Sequence, residues 1–365
     1  MERRYEIDWI RNISILMLFV YHTAAIFCAF GDFYIVSEHK NIIANLLIVL
    51  MFVWYMPTLF FLAGASTYFA SKKRNFKEYL VERIKKLFIP LLFGIAVLVP
   101  PQTYIARVWR GESGLNYIEH LKYFFTHLTD FTGYDGAFSP AHLWFILYLF
   151  VVSIVGGFVV FGIFKKDKFV RCTEMLKRTL FNKYSFVILL VLGIISDLFP
   201  SIMGKSIVAC LFIFMMGYLV YSDRRVLDVV IEKRFKSLVM IIVSAFIGML
   251  YIFLVRDGVS SSFVWIIESI LKNMVLISAI STIVGFASIY LNSNNKLLKY
   301  LNSSAFPVYI IHQPILLALA FYIIPVVSST LMSMILIIVT SLVVSFLVFE
   351  VLKRMKFMNI FLGIK

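Results

Sequence analysis

Apolar residues come in runs of about 20, the length a helix needs to cross a hydrocarbon core of roughly 30 Å, and short polar clusters divide the runs. The pattern predicts an all-α polytopic membrane helix bundle, one domain over residues 1–365. Ten spans are expected, at 9–30, 42–70, 87–106, 140–164, 186–200, 206–221, 237–255, 263–290, 304–324 and 328–350. The fifth and sixth are short and parted only by SIMGK, while the second and eighth are long enough to tilt or to begin as surface helices. The first run follows MERRYEID; it is too long for a signal-peptide core and no small-residue cleavage site follows, so it is expected to stay in the mature protein.

Composition agrees with the pattern. The chain is 61% hydrophobic and 15% charged, against roughly 45–50% and about 25% in soluble domains. Its formal charge of +15 raises the question of nucleic acid, and the distribution answers it. With the N-terminus placed in the cytoplasm, 27 of the 35 Lys and Arg fall in inner segments, six in outer ones, and Arg11 and Lys272 inside spans. That asymmetry predicts cytoplasmic termini and a basic face that meets anionic headgroups rather than nucleic acid. Cys28, Cys172 and Cys210 are isolated and suit neither a disulfide framework nor a zinc site, and no phosphate loop, GxSxG elbow or HExxH is present. Chemistry therefore has to come from polar residues inside the bundle.

Ionisable side chains within spans cost about 2.5–3.5 kcal/mol each on insertion scales, so they normally face a protein interior or a watery cavity. The first span, DWIRNISILMLFVYH, carries Arg11 and His22. Eleven positions make about 1100° of helix, so the two share a face with a rise of roughly 16 Å between them. Asp8, three residues before Arg11, is placed to pair with it. Arg11 has a second reading as a side chain snorkelling to the inner headgroups. His22, about 20 Å into the span, is either an interhelical hydrogen-bonding residue or a catalytic one. His142 opens the fourth span in PAHLWFILYLF and His312 lies in the ninth, in AFPVYIIHQPIL. Three histidines at similar depth suggest a shared cavity. Pro307 and Pro314 bracket His312, and each leaves a backbone carbonyl free for a ligand or a neighbour. Glu268 and Lys272, at i,i+4, read as a mutually neutralising pair.

Taken in order, these segments resemble the membrane acyltransferase-3 family. The carrying features are Arg11 and His22 after IDW, FFLAGAS at 60–66, VERIKKLFIP at 81–90, HLWFILYLF at 142–150 and FPVYIIHQPIL at 306–316. The style of VERIKKLFIP and the short architecture are similar to the branch that includes the glucan succinyltransferases. The resemblance implies transfer of an acyl group, acetyl most often, from cytoplasmic acyl-CoA to a hydroxyl of an extracytoplasmic glycan or other cell-envelope acceptor. It implies a catalytic role for His22 and an essential one for Arg11, with acyl-CoA as co-substrate and no bound cofactor or metal. Arg83 and Lys86 match the family's basic pattern and are expected to meet the donor's phosphates; a topogenic charge cluster is the other reading. His142, Trp144, His312 and Gln313 are expected on the acceptor side, Trp144 as a stacking surface for a sugar or as an interface anchor. The loop 107–139, rich in Tyr and Phe, is the expected acceptor lid or platform. A transporter or exporter using Arg11, His22 and His312 as a substrate or proton path is the rival, and a non-catalytic membrane subunit a third reading.

Overall fold

The computed structural model describes residues 3–112, 114–164, 167–182, 184–254 and 261–364. Of the basic residues counted above, Lys165, Lys166, Lys183, Arg256 and Lys365 lie outside the described residues, as do the side chains of Lys168, Arg171 and Cys172. Cys28 and Cys210 are buried free thiols.

The fold is helical, and among the described residues the only strands are the two-residue pair Ser201–Ile202 and Lys205–Ser206, a hairpin made by SIMGK. Among the described residues, eight helices are long and apolar enough to cross a membrane: Tyr5–Phe27, Ile42–Ser71, Phe76–Trp109, Ala141–Phe164, Arg234–Tyr251, Phe263–Tyr290, Lys296–Ile323 and Thr330–Leu352. The count rises to ten if the bent pairs Thr173–Phe181 with Ser185–Asp197 and Ile207–Ser222 with Arg224–Glu232 each make one span. The short fifth and sixth runs of the sequence are these bent elements.

Prolines explain most departures from regular helix. The long second run breaks at Val53–Trp54, where the ring of Pro57 would press on the Val53 carbonyl. In the third span, π-helical turns occupy Ile84–Phe88 and Gly94–Leu98, just ahead of Pro90 and of Pro100 with Pro101. A proline that cannot donate to the carbonyl four residues back loosens the turn before it. VERIKKLFIP is thus not one regular helix: Phe76–Arg83 is α-helical, and Lys85 and Lys86 lie on a widened turn.

The chain forms two compact units, each assembled from separated stretches. The first comprises 1–11, 53–80 and 151–294. Within it, helices Tyr55–Ser71 and Ile207–Ser222 touch backbone to backbone: a Cβ on Gly64 would strike the Phe214 carbonyl, and one on Gly217 would strike that of Phe61. Small residues permit this approach in membrane interiors, where dispersion contacts rather than hydrophobicity drive helix association. Lys272 pairs with Asp197 at 2.6 Å, so the neutralising partner expected at Glu268 is supplied instead from helix Ser185–Asp197. Ser269 and Asn273, both at 2.8 Å, complete that carboxylate's hydrogen bonds. Glu268 is the nearer carboxylate in sequence, but bundle packing brings Asp197 from another helix to Lys272.

The second unit comprises 12–52, 81–150 and 295–365. Helix Lys296–Ile323, with Asn295 capping the Leu298 amide, runs through its middle with Pro307 and Pro314 inside it. Helix Val99–Trp109 packs along it, Trp109 meeting Phe321 at 5.9 Å.

Candidate active site

His22, His142 and His312 all belong to the second unit, and their rings converge. The His22 and His312 centroids lie 5.3 Å apart, and those of His142 and His312 lie 5.2 Å apart at right angles. His312 is fully buried and His142 nearly so, while His22 is half-buried. The expected convergence is therefore present.

Backbone carbonyls fix two of the three rings. Pro314 has no N–H to offer the carbonyl of Ile310, four residues earlier. His142 Nε2 takes that place, donating to the Ile310 oxygen at 2.9 Å. A carbonyl only accepts, so His142 carries its proton on Nε2, and its buried Nδ1 has no hydrogen-bond partner. The contact is reciprocated: Tyr309 Oη donates to the His142 carbonyl at 2.5 Å. His312 Nδ1 donates to the Tyr309 carbonyl at 2.6 Å. Its Nε2 is thereby a bare lone pair, again buried without a partner. His22 Nδ1, the Thr23 hydroxyl, both amide atoms of Gln102 and Oε1 of Gln313 are likewise buried and unpartnered. Each such group costs about 1–3 kcal/mol, and natural structures hold few of them except where they serve a function. Gln313 thus shares the buried polar character of its neighbour His312. Trp144 is half-buried and makes ring contacts with Phe145 and Tyr148 on its own helix. No His, Cys, Asp and Glu grouping among the described residues could hold a metal, the three histidines included.

A cover that the sequence pattern did not reveal lies over His22. The segment 28–41 places Phe33 flat against the His22 ring, 5.6 Å away with 15° between planes. Phe33 itself is buried. The expected loop 107–139 in fact begins with the last turn of helix Val99–Trp109 and contains the helix Tyr117–Thr126. It secures segment 28–41: Trp109 Nε1 donates to the Val36 carbonyl at 3.0 Å, and Arg110 reaches the Phe33 carbonyl at 3.4 Å and Asp32 at 3.6 Å. Tyr34 donates to the Thr132 carbonyl at 2.7 Å and its ring meets Tyr134 edge-on. Burial pushes the Tyr134 phenol up to about 12, so it stays a neutral donor. Segment 107–139 thus holds segment 28–41, whose Phe33 makes the contact with His22.

Arg11 lies in the first unit and is described in that setting. Its guanidinium spans two partners, donating to Asp8 at 3.0 Å and to Ser66 Oγ at 2.9 Å. Asp8 pairs with Arg11 as its spacing suggested, and also accepts from Arg3 at 2.9 Å. Ser66 is the last residue of FFLAGAS, so two of the segments singled out in the sequence meet here. Arg83 and Lys86 belong to the second unit, Arg83 at the end of an α-helical turn and Lys86 on the π turn. Lys86 is held by Glu82 at 2.5 Å, so a phosphate there competes with a carboxylate.

Compared with known proteins, the chain matches a family model described as an acyltransferase domain over residues 4–350. No curated protein and no solved structure matches it.

Proposed function

Because the chain belongs to the acyltransferase-3 family of membrane acyltransferases, we propose that it moves an acyl group, acetyl or succinyl, from acyl-CoA to a hydroxyl of a cell-envelope glycan or related acceptor. The protein is multi-pass in the membrane; the proposed location is a bacterial cytoplasmic membrane, with both termini and the donor on the cytoplasmic side. The observation that carries the reading is the convergence of three histidines of which one, His22, is only half-buried.

His22 is the proposed general base, because the protons of His142 and His312 are committed to carbonyls and those rings are enclosed. Imidazole suits this task near neutral pH. A ring nitrogen of His22 takes the acceptor's hydroxyl proton as that oxygen bonds to the thioester carbon. The carbon–sulfur bond then breaks, and the proton passes to the departing thiolate, which leaves as the free thiol of CoA. The ester and the neutral imidazole remain. Phe33 and the loops that hold it keep water from the thioester during transfer. Arg83 and Lys86 are the proposed donor-binding cations, and Arg11, oriented within its own unit by Asp8 and Ser66, is proposed to be essential. His142, Trp144, His312 and Gln313 are assigned to the acceptor side.

The test is release of CoA thiol from acetyl-CoA and succinyl-CoA by purified protein in lipid, with an envelope-glycan extract as acceptor, beside His22→Ala of matched folding quality. Turnover confined to the wild type is expected. Turnover that survives in His22→Ala would remove the base from this scheme, and label from the acyl group that never reaches the glycan would remove the acceptor class.

A further inference from the structure

Three neutral imidazoles hold three ring protons, and two are already placed: His142 gives its own to the Ile310 carbonyl and His312 gives its own to the Tyr309 carbonyl. What remains in the cluster is a set of buried nitrogens without partners, Nε2 of His312, Nδ1 of His142 and Nδ1 of His22. The first two are bare lone pairs, and among the three rings the one uncommitted proton is that of His22. The His22 and His312 rings are tilted by 33° with centroids 5.3 Å apart, a separation that matches an N–H···N hydrogen bond of about 3 Å when the two nitrogens face each other. Phe33, stacked on the His22 ring, holds the plane of that imidazole.

We propose that His312 is the positioning residue of the acyl transfer: its Nε2 lone pair accepts the Nδ1–H of His22 and so fixes the tautomer in which His22 Nε2 is free to take the acceptor's proton. The inference rests on His22 being the base, as argued above. It gives His312 the part that a carboxylate plays behind a catalytic histidine elsewhere, without placing a full negative charge in the membrane interior, where one is costly. The chain of fixation runs from Pro314, which frees the Ile310 carbonyl for His142, to the Tyr309 carbonyl, which sets the tautomer of His312, and from there to His22. His312 does not itself touch the reacting atoms.

Two substitutions separate this role from packing. In His312→Gln the side-chain amide oxygen still offers an acceptor, whereas His312→Phe fills the space and offers none. With turnover measured by thiol release, His312→Gln is expected to keep kcat within about tenfold of wild type. His312→Phe is expected to lose at least a hundredfold in kcat with KM for the thioester within threefold. Equal losses in both variants, or a His312→Phe protein with wild-type kcat, would overturn the proposal while leaving His22 as base. A second readout does not depend on activity: 15N spectra of histidine-labelled protein in lipid are expected to report the Nδ1–H tautomer for His22 in wild type and in His312→Gln, and the Nε2–H form or a mixture in His312→Phe. A wild-type His22 found in the Nε2–H form would overturn the proposal outright. Absence of turnover in the wild type with a correct tautomer would count against the proposed reaction instead.

Discussion

His142 stands behind Ile310, its Nε2 donating at 2.9 Å to a carbonyl that is free because residue 314 is proline. A residue usually disruptive within a helix here provides the anchor for a side chain from another span. The anchor is doubled by Tyr309, whose phenol returns a hydrogen bond to the His142 carbonyl.

Replacing the proline restores an N–H that competes for the Ile310 oxygen. Pro314→Ala is therefore expected to leave thermal stability in detergent unchanged or higher, because a proline in a helix interior costs about 3 kcal/mol, while acyl transfer falls at least tenfold. A variant as active as the wild type would show that His142 does not depend on this carbonyl.

Phe33 lies stacked on the face of His22. Phe33→Ala is expected to admit water, so that thiol release without acceptor rises relative to release coupled to glycan labelling. The ratio of the two rates in one preparation measures this; an unchanged ratio would deny Phe33 the sealing role.

The loop 107–139 carries its own pH dependence. His120 Nε2 lies 3.0 Å from both the Pro100 carbonyl and Thr103, and Arg107 approaches Nδ1 at 3.5 Å. Burial pushes the imidazole below its ordinary value of 6.5, and Arg107 adds to the shift against the opposing Pro100 contact. Released from the fold the ring binds a proton near 6.5, and folded it does so only at lower pH. The stability it lends is thus complete above about 6.5 and drains away as pH falls below that value. Limited proteolysis of the loop is expected to speed up between pH 7.5 and 5.5, and His120→Gln is expected to flatten that response.

The contact at Gly64 is the least forgiving in the first unit. Gly64→Val would drive a side chain into the Phe214 carbonyl, and a loss of about 3 kcal/mol or failure to accumulate is expected, at the upper end of overpacking costs. Gly64→Ala is expected to fall between the two, and a Gly64→Val protein melting with the wild type would refute the close approach.

The span pattern was readable because a bilayer demands unbroken apolar length, and no tertiary contact is needed to see it. The histidines stood out for the same reason, as polar groups in an apolar medium. Even the free carbonyls around His312 followed from two prolines. What the sequence withheld was partnership. Nothing about residues 28–41 marks Phe33 as the ring that lies on His22, since an irregular segment has no period from which to infer a facing side. Lys272 sits four residues from Glu268, and the helical rule favoured that pair; the carboxylate that reaches it, Asp197, is more than 70 positions away in the chain. The π turns at Ile84–Phe88 and Gly94–Leu98 likewise change which way Lys85 and Lys86 point, an effect invisible to a count of residues per turn.

The interleaving of the two units has a bearing on how the protein is made. The second unit draws on residues 12–52, 81–150 and 295–365, so its histidine cluster is incomplete until nearly the whole chain has left the ribosome. His22 emerges about 290 residues before His312, a delay on the order of 15–60 s at about 5–20 residues per second. Throughout that interval an imidazole, a buried threonine and the helix that carries them wait in the bilayer without their partners. A nascent chain arrested before residue 296 would thus expose a polar face to lipid, the kind of lesion that membrane quality-control proteases recognise, and biogenesis of this protein is committed only when its penultimate long helix arrives.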